Sequence, residues 1–178
     1  MTAASLEAAA LRYLGRYATS AANLRRVLRV RVARAARVHG TDRNAAAAMV
    51  DALIARFERS GLLDDKAYAE AKARSLHGLG HPPRAIRARL TAKGVARQTV
   101  EEALALLFEE TTEPELAAAC RYVRRRRLGP YRPARERAAR GGKDLAAMSR
   151  AGFGFAVTRR VLAAPDADAV EEMLRESR

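Results

Sequence analysis

The sequence has 178 residues, and its 34 lysines and arginines against 20 aspartates and glutamates give a formal net charge of +14. The one cysteine excludes an internal disulfide framework, and no apolar run approaches the ~20 residues that cross a bilayer. The N-terminus also lacks the features of a signal peptide, so we expect a soluble, cytoplasmic protein whose positive charge indicates a polyanionic partner.

Apolar residues recur at helical spacing, no strand-like alternation is sustained, and alanine, the best helix former, is abundant. These patterns predict an all-α fold, which we expect to be an elongated tandem array of three-helix repeats with a further C-terminal helix. The first repeat, residues 1–62, has predicted helices near 5–17, 20–38 and 44–60. Ser20, or Thr19 beside it, caps the second of these helices.

A pair of acidic residues follows the first repeat, in the stretch FERSGLLDDKAYAE. These two residues could begin a metal or acid–base site, or they could mark a boundary between two helices. Gly61 is typical of a helix end, and we expect Leu62 to pack back on Phe57. Asp64 then caps the next helix, and Asp65 lies in its first turn near the positive end of the helix dipole. We favour the helix boundary.

The second repeat, residues 63–111, has predicted helices near 64–78, 82–93 and 96–109. Residues of the first repeat match residues of the second at one constant offset, which supports a true repeat. The matched residues are Arg12, Leu14, Tyr17, Ser20, Leu24 and Leu28 with Arg74, Leu76, Leu79, Pro82, Ile86 and Leu90. Gly94 ends the second helix of this repeat, and the Pro82-Pro83 pair begins it with a preset backbone angle.

The third repeat, residues 112–178, matches the other two less well. A Gly-Pro-Tyr-Arg-Pro segment at 129–133 and a double glycine at 141–142 interrupt its pattern. Its predicted helices lie near 114–128, about 132–151 with a weak point at the double glycine, and 155–163, followed by a last helix at 166–176.

The acidic residues are segregated from the basic ones. None occurs from 8 to 41 or from 71 to 100, and only Glu136 and Asp144 occur from 116 to 165. The arginines of these segments are the candidate binding residues for DNA or an acidic protein surface. They are Arg25, Arg26, Arg29, Arg34 and Arg37 in the first repeat, Arg84, Arg87 and Arg89 in the second, and Arg121, Arg124, Arg125, Arg126, Arg127, Arg132 and Arg135 in the third.

Two interpretations of these arginines are open. They could be solvated faces that keep the protein in solution, which is the better interpretation for any single arginine. For the whole pattern we favour a binding surface, because guanidinium groups pair bidentately with phosphate and carboxylate. Arg137 belongs to the same basic cluster as the third-repeat candidates, whereas Arg31 lies near the apolar stripe of its helix and is expected to snorkel. Aromatic platforms on which bases could stack are nearly absent, apart from Tyr122 and Tyr131 in the basic third repeat.

No motif indicates catalysis. His39, His77 and His81 have no partners at metal-ligand spacing, and Cys120 lies in an apolar helical context as a buried thiol. The sequence has neither a GxxxxGK[ST] phosphate loop nor a GxSxG elbow. We therefore predict no catalytic, cofactor-binding or metal-binding residues, no cofactor, and a protein that is not an enzyme.

Five segments together resemble the RecX family of recombination regulators, over roughly residues 10–165. GLLDDKAYA at Gly61–Ala69 and RAIRARLTAKGV at Arg84–Val95 are the most specific parts of the likeness. The segments are RYLGRYATSAANLRRVL, SGLLDDKAYAEAKAR, HPPRAIRARLTAKGV, RRLGPYR and SRAGFGFAVTRRVL.

The resemblance implies tandem three-helix repeats and a protein that binds the RecA recombinase filament. RecX proteins lie along the helical groove of that filament and usually inhibit its ATPase and strand exchange, and some also bind single- or double-stranded DNA. The family has no catalytic residues to carry over. We expect a monomer that acts in this way in DNA recombination, repair and the SOS response, with no membrane partner. The alternative is a sequence-nonspecific DNA-binding helical protein that acts without a recombinase.

Overall fold

The computed structural model describes residues 2–39 and 42–177, apart from the side chains of Val38 and His39. Within these residues there are ten α-helices, one 3₁₀ turn and no strand, so the prediction of an all-α protein is confirmed. The helices are α1 Ala3–Leu14, α2 Ala21–His39, α3 Arg43–Arg59, α4 Asp65–Gly78, α5 Pro83–Ala92, α6 Arg97–Glu110, α7 Pro114–Arg126, the 3₁₀ turn Gly129–Tyr131, α8 Ala134–Ala151, α9 Phe155–Leu162 and α10 Ala167–Glu176.

The chain divides into two compact units. The first contains residues 1–69 and 90–99, and the second contains residues 70–89 and 100–178. The chain passes from one unit to the other within α4, α5 and α6. The boundaries of the three sequence repeats stay a prediction.

The core of the first unit lies where α2 packs against α3, with α1 in contact with both helices. On α2, Leu24, Leu28 and Val32 recur every four residues and are fully buried. Each such aliphatic side chain stabilises the fold by roughly 1.5–3 kcal/mol. The rest of this core consists of Leu6, Ala9, Ala10, Ala21, Ala46, Val50, Leu53, Ile54, Phe57 and Leu63.

The turn after α3 differs from the sequence prediction in one residue. Gly61 has the expected positive φ of 74°, but Leu62 is 48% exposed and does not return to the helix. Leu63 returns instead, since it is only 4% exposed and its N–H donates to the carbonyl of Phe57 at 3.1 Å. The left-handed residue is Gly61, as predicted, but the chain runs one residue further before a backbone N–H reaches the carbonyl of Phe57, so the side chain that turns inward is that of Leu63.

The two acidic residues that follow this turn both bind helix N-termini. Asp64 Oδ1 accepts from the N–H of Ala67 at 2.9 Å, which confirms its prediction as the cap of α4. Asp65 lies in the first turn of α4, as predicted, and its Oδ1 accepts from the N–H of Ala21 at 2.7 Å. Because Ala21 is the first residue of α2, one acidic pair satisfies the ends of two helices.

The start of α2 also touches the end of α5. Ser20 Oγ accepts from the N–H of Asn23 at 3.2 Å, which confirms the predicted cap, and donates to the carbonyl of Lys93. Gly94, whose φ is +76°, follows directly, and a Cβ there would lie 2.5 Å from the Cβ of Ala22. The close approach and the positive φ both require glycine at this position.

The core of the second unit surrounds α7, which packs against α9 and α10, while α8 packs against α9. Its buried residues are Leu116, Ala117, Ala118, Ala119, Cys120, Val123, Leu128, Met148, Phe153, Val161, Ala164, Val170 and Leu174. The run of alanines at 117–119 has no bulky side chain, so neighbouring elements approach the α7 backbone closely. Helix α8 runs without a break through Gly141 and Gly142, which lie on its exposed side, so the predicted weak point does not interrupt the helix.

Helix α1 begins and ends earlier than predicted. Thr2 and Ser5 form a reciprocal capping box, in which each backbone N–H donates to the other side chain. This pair starts the helix at Ala3 rather than near residue 5. The last turn ends at Gly15, so Tyr17, which the sequence placed inside the helix, lies beyond it.

Gly94→Ala tests the contact between α2 and α5. We expect it to lower the free energy of unfolding by about 2–4 kcal/mol, the sum of backbone strain at positive φ and overpacking against Ala22. Gly61→Ala is the matched control, because Gly61 has nearly the same φ and nothing within 4 Å of its Cβ position. Gly61→Ala should lower the free energy of unfolding only by the backbone strain at positive φ, about 1–2 kcal/mol. Urea unfolding measures both, and equal losses in the two variants would show that the close approach contributes nothing.

Candidate polyanion-binding surface

Three candidate arginines of the first unit have partners within the fold. Arg25 Nε and Arg29 Nη2 both pair with the carboxylate of Asp51 on α3, at 3.0 and 2.9 Å. Arg26 Nη2 donates to Asn23 Oδ1 at 2.6 Å. The two ion pairs reach solvent, so each contributes only about 0–1 kcal/mol to stability. Because one carboxylate neutralises only one of the two guanidinium charges, a net positive charge remains at this site.

In the middle of the chain, some candidate arginines have partners within the fold and one does not. Arg87 forms a bidentate pair with Glu101, with Nε–Oε1 at 2.7 Å and Nη2–Oε2 at 2.8 Å. Arg89 Nη1 lies 3.2 Å from His81 Nε2, and Arg84 is exposed without an ion pair to any described residue. Burial, together with the charges of Arg89 and Arg125, lowers the pKa of His81, which therefore favours its neutral form.

On α7, two of the candidate arginines have partners in the second unit. Arg124 Nη1 lies 3.0 Å from Glu171 Oε2, and the hydroxyl of Tyr131 donates to the same carboxylate. Arg121 is half-buried, with Nη1 3.5 Å from Nδ1 of His77. Burial first, and then the hydrogen bond to Glu171, raise the pKa of Tyr131, so this residue keeps its proton and works as a hydrogen-bond donor.

Arg132 holds the 3₁₀ turn against α8. Its Nε and Nη2 lie 2.8 Å from the two oxygens of Asp144, which is 2% exposed as a whole residue. The N–H of Gly129 donates to Asp144 Oδ2 at 2.8 Å. The bond from Arg132, followed by that from Gly129, outweighs burial and lowers the pKa of Asp144 below its ordinary value. Arg132 thus has a structural contact that occupies the Nε and Nη2 edge of its guanidinium group.

Arg137 has a similar structural contact. Its guanidinium donates to the backbone carbonyls of Pro130 at 2.9 Å and Arg132 at 3.1 Å, and also to that of Pro165. It therefore ties the 3₁₀ turn to the segment before α10.

Seven candidate arginines remain exposed, and their side chains make no ion pair or hydrogen bond with any residue that the structure describes. They are Arg34 and Arg37 on α2, Arg84 on α5, Arg125 and Arg126 at the end of α7, Arg127 directly after it, and Arg135 in the first turn of α8. Their guanidinium groups are open to phosphate or carboxylate from outside the chain.

A group of basic residues in the first unit was left out of the sequence prediction. One cleft is lined by Arg12 from the last turn of α1, Arg16 just after that helix and Arg31 from α2, together with Tyr13 and Tyr17. Arg31 is exposed and lines this cleft beside Val27 and Leu28, which agrees with the expectation that it snorkels from the apolar stripe. The available signal was the repeated Arg-Tyr pair of RYLGRY within a segment that has no acidic residue.

Comparison with known proteins places the chain in a family. The model of the second three-helix domain of RecX matches residues 64–104. Over 158 residues the chain is 43% identical to the regulatory protein RecX of Myxococcus xanthus, covering 88% of this chain and 83% of that protein. The chain belongs to the RecX family of regulatory proteins.

Other RecX proteins agree with this assignment. The regulatory protein RecX of Agrobacterium fabrum is 40% identical over 101 residues, which is 57% of this chain and 52% of that protein. A crystal structure of RecX from Lactobacillus salivarius has a TM-score of 0.58 at 18% identity and covers 97% of this chain and 96% of that one. A second crystal structure, of regulatory protein RecX, has a TM-score of 0.56 at 20% identity, over 90% of this chain and 71% of that one. These two structures share the fold.

RecX family membership confirms that the protein is a regulator and not an enzyme. Among the described residues, no group of three or more His, Cys, Asp or Glu side chains could hold a metal, and no helix is long and apolar enough to cross a membrane. Burial raises the pKa of Cys120 to about 11, so its thiol stays protonated and weakly nucleophilic. His77 Nε2 lies 2.7 Å from the carbonyl of Pro114, which gives this buried ring a structural role between α4 and α7.

Asp144→Asn tests the contact between the 3₁₀ turn and α8. Because the pKa of Asp144 is lowered in the fold, its carboxylate stabilises the protein above the unfolded pKa of about 4, and this stabilisation disappears as pH falls through the folded pKa. We expect the variant to lose roughly 2–4 kcal/mol of unfolding free energy at pH 7.

The loss should shrink below pH 4, as followed by urea unfolding across pH. Glu113→Gln is the control, because its pair with Arg160 is about half exposed on both sides. This variant should lose under about 1 kcal/mol. Equal losses at pH 7 would contradict a special role for the buried carboxylate.

Proposed function

We propose that this RecX family member regulates the RecA recombinase by binding in the groove of the RecA–DNA filament. In this role it suppresses ATP hydrolysis and strand exchange. Family membership supports regulation, and the resemblance of the sequence motifs supplies the recombinase as partner. Such a protein acts in the cytoplasm, where the filament forms on chromosomal DNA.

The observation that carries the proposal is the set of seven exposed arginines without internal partners. They come from both compact units, so charge is available along the whole chain rather than at one spot. A nucleoprotein filament offers two kinds of anion in its groove, DNA phosphates and protein carboxylates. An arginine fork binds either of them bidentately.

The exposed ion pairs add to this surface. Asp51 is shared by Arg25 and Arg29, and both arginine side chains reach solvent. Pairs of this kind contribute so little to stability that a phosphate displaces the carboxylate at small cost. Arg132 and Arg137 are not part of this binding surface. A buried carboxylate holds Arg132, and backbone carbonyls hold Arg137.

Inhibition follows from docking across several anionic partners at once. A chain that binds neighbouring recombinase protomers together resists the relative movements that accompany ATP turnover. The effect needs no catalytic group, which agrees with a regulator that has none.

Arg125→Ala combined with Arg126→Ala tests the proposal in an assay of ATP hydrolysis by RecA on single-stranded DNA. The unaltered protein should depress hydrolysis. The double variant should need about tenfold more protein for the same effect, because each lost charged hydrogen bond is worth about 1.5 kcal/mol or less on an exposed surface. Helical content by circular dichroism should not change, since neither side chain makes an ion pair or hydrogen bond with a described residue.

Lys66→Ala combined with Lys72→Ala is the matched control. It removes the same charge from exposed positions of α4, where no binding residue is assigned, and should inhibit as the unaltered protein does. Undiminished hydrolysis at several-fold molar excess of the unaltered protein would contradict the proposal. If DNA binding were tight at the same time, the alternative of a DNA-binding protein without a recombinase partner would be favoured.

A further inference from the structure

A cleft in the first unit combines positive charge with exposed aromatic rings. It lies between the end of α1 and the middle of α2 and has a volume of about 420 Å³, within the roughly 300–1,000 Å³ of small-ligand sites. Arg12, Arg16 and Arg31 surround it, and Tyr13 and Tyr17 form part of its wall.

The charge in this cleft is not compensated within the fold. Arg12, Arg16 and Arg31 make no ion pair with any described residue, and the sequence has no acidic residue from 8 to 41. No acidic side chain is among the residues that line the cleft. Three guanidinium groups around one cleft create a positive potential that favours a ligand carrying phosphate.

The two tyrosines differ in how firmly they are held. Asn23 Nδ2 donates to the hydroxyl of Tyr13 at 3.2 Å, which fixes this half-buried ring. Tyr17 is 56% exposed, and its ring centroid lies 5.1 Å from that of Tyr13 at an interplanar angle of 45°. Its backbone N–H donates to the carbonyl of Tyr13 at 3.0 Å, so the backbone is placed while the ring faces solvent. An exposed ring beside guanidinium groups is a platform on which a base can stack.

A second cleft in the first unit lacks the features of the cleft between α1 and α2. It lies between α1 and α3, has a volume of about 250 Å³, and contains Arg56 and Arg59. There Glu7 pairs with Arg56, and no aromatic ring lines the cleft. Uncompensated charge and aromatic rings therefore occur together at the α1–α2 cleft and not at this one.

We propose that the cleft between α1 and α2 binds one unpaired nucleotide of single-stranded DNA, with the base on Tyr17 and flanking phosphates on Arg12, Arg16 and Arg31. A base within a duplex is stacked and paired, so its face cannot reach the tyrosine. The cleft thereby distinguishes single from double strands without reading sequence, because every base has an aromatic face. This site acts on the strand directly and does not depend on the recombinase.

Fluorescence anisotropy without RecA tests the site, with a labelled oligothymidylate and a labelled duplex of equal length. Tyr17→Ala should weaken binding of the single strand about tenfold, since stacking on an aromatic side chain is lost, and leave duplex binding within about twofold. Tyr17→Phe keeps the ring and should bind the single strand as the unaltered protein does. Arg16→Ala should make the dependence of log K on log[salt] shallower by about 0.7 for the single strand.

Three results would overturn the proposal. Tyr17→Ala could leave single-strand binding unchanged, or weaken single strand and duplex equally. Free thymidine monophosphate could also displace the oligonucleotide at concentrations near the dissociation constant of the strand, which would assign the cleft to free nucleotides instead. Arg59→Ala, in the cleft between α1 and α3, controls for loss of charge and should not alter the preference for single strands. Loss of recombinase inhibition with an intact strand preference would count against the proposed function alone.

Discussion

A shortage of carboxylates decides which arginines of this protein support the fold and which face outward. Asp51 accepts hydrogen bonds from two guanidinium groups, and Glu171 accepts them from Arg124 and Tyr131. Asp144 accepts them from Arg132 and from the N–H of Gly129. With 34 basic against 20 acidic residues, internal pairing cannot absorb the positive charge. The surplus remains at the surface, where it has an electrostatic reason to meet a polyanion.

Contacts at helix ends set the geometry on which that surplus is displayed. In the first unit, Asp65 binds the first N–H of α2, Ser20 joins the same terminus to the carbonyl of Lys93, and Gly94 allows Ala22 to approach. These contacts satisfy backbone groups that would otherwise be unpaired. The aspartate pair that could have been a metal site is therefore part of the scaffold, and function rests on charge and shape rather than on reactive groups.

The sequence predicts most of the fold because its signals are local. Glycine at positive φ, proline at a helix start and aspartate or serine at a cap act within a few residues, so the helices of the described residues lie close to their predicted positions. The sequence did not predict the contacts between residues that are far apart along the chain. Asp65 accepts from the N–H of Ala21 across 44 residues, and Arg132 pairs with Asp144 across 12 residues. The burial of Leu63 instead of Leu62 after the left-handed Gly61 depends on packing. For the binding surface, the sequence identifies the basic segments. Only the structure shows that Arg132 pairs with buried Asp144 while the Arg135 side chain is exposed.

The most direct test of this account is the salt dependence of binding to a preformed filament of RecA on single-stranded DNA. If unpaired arginines contact phosphates, the association constant should fall with salt, and log K against log[salt] should have a slope steeper than about −3, corresponding to four or more contacts. Arg84→Ala, Arg125→Ala and Arg135→Ala together should make that slope shallower by about 2. A slope near zero, with binding intact at high salt, would show that the free arginines do not hold the protein on the filament.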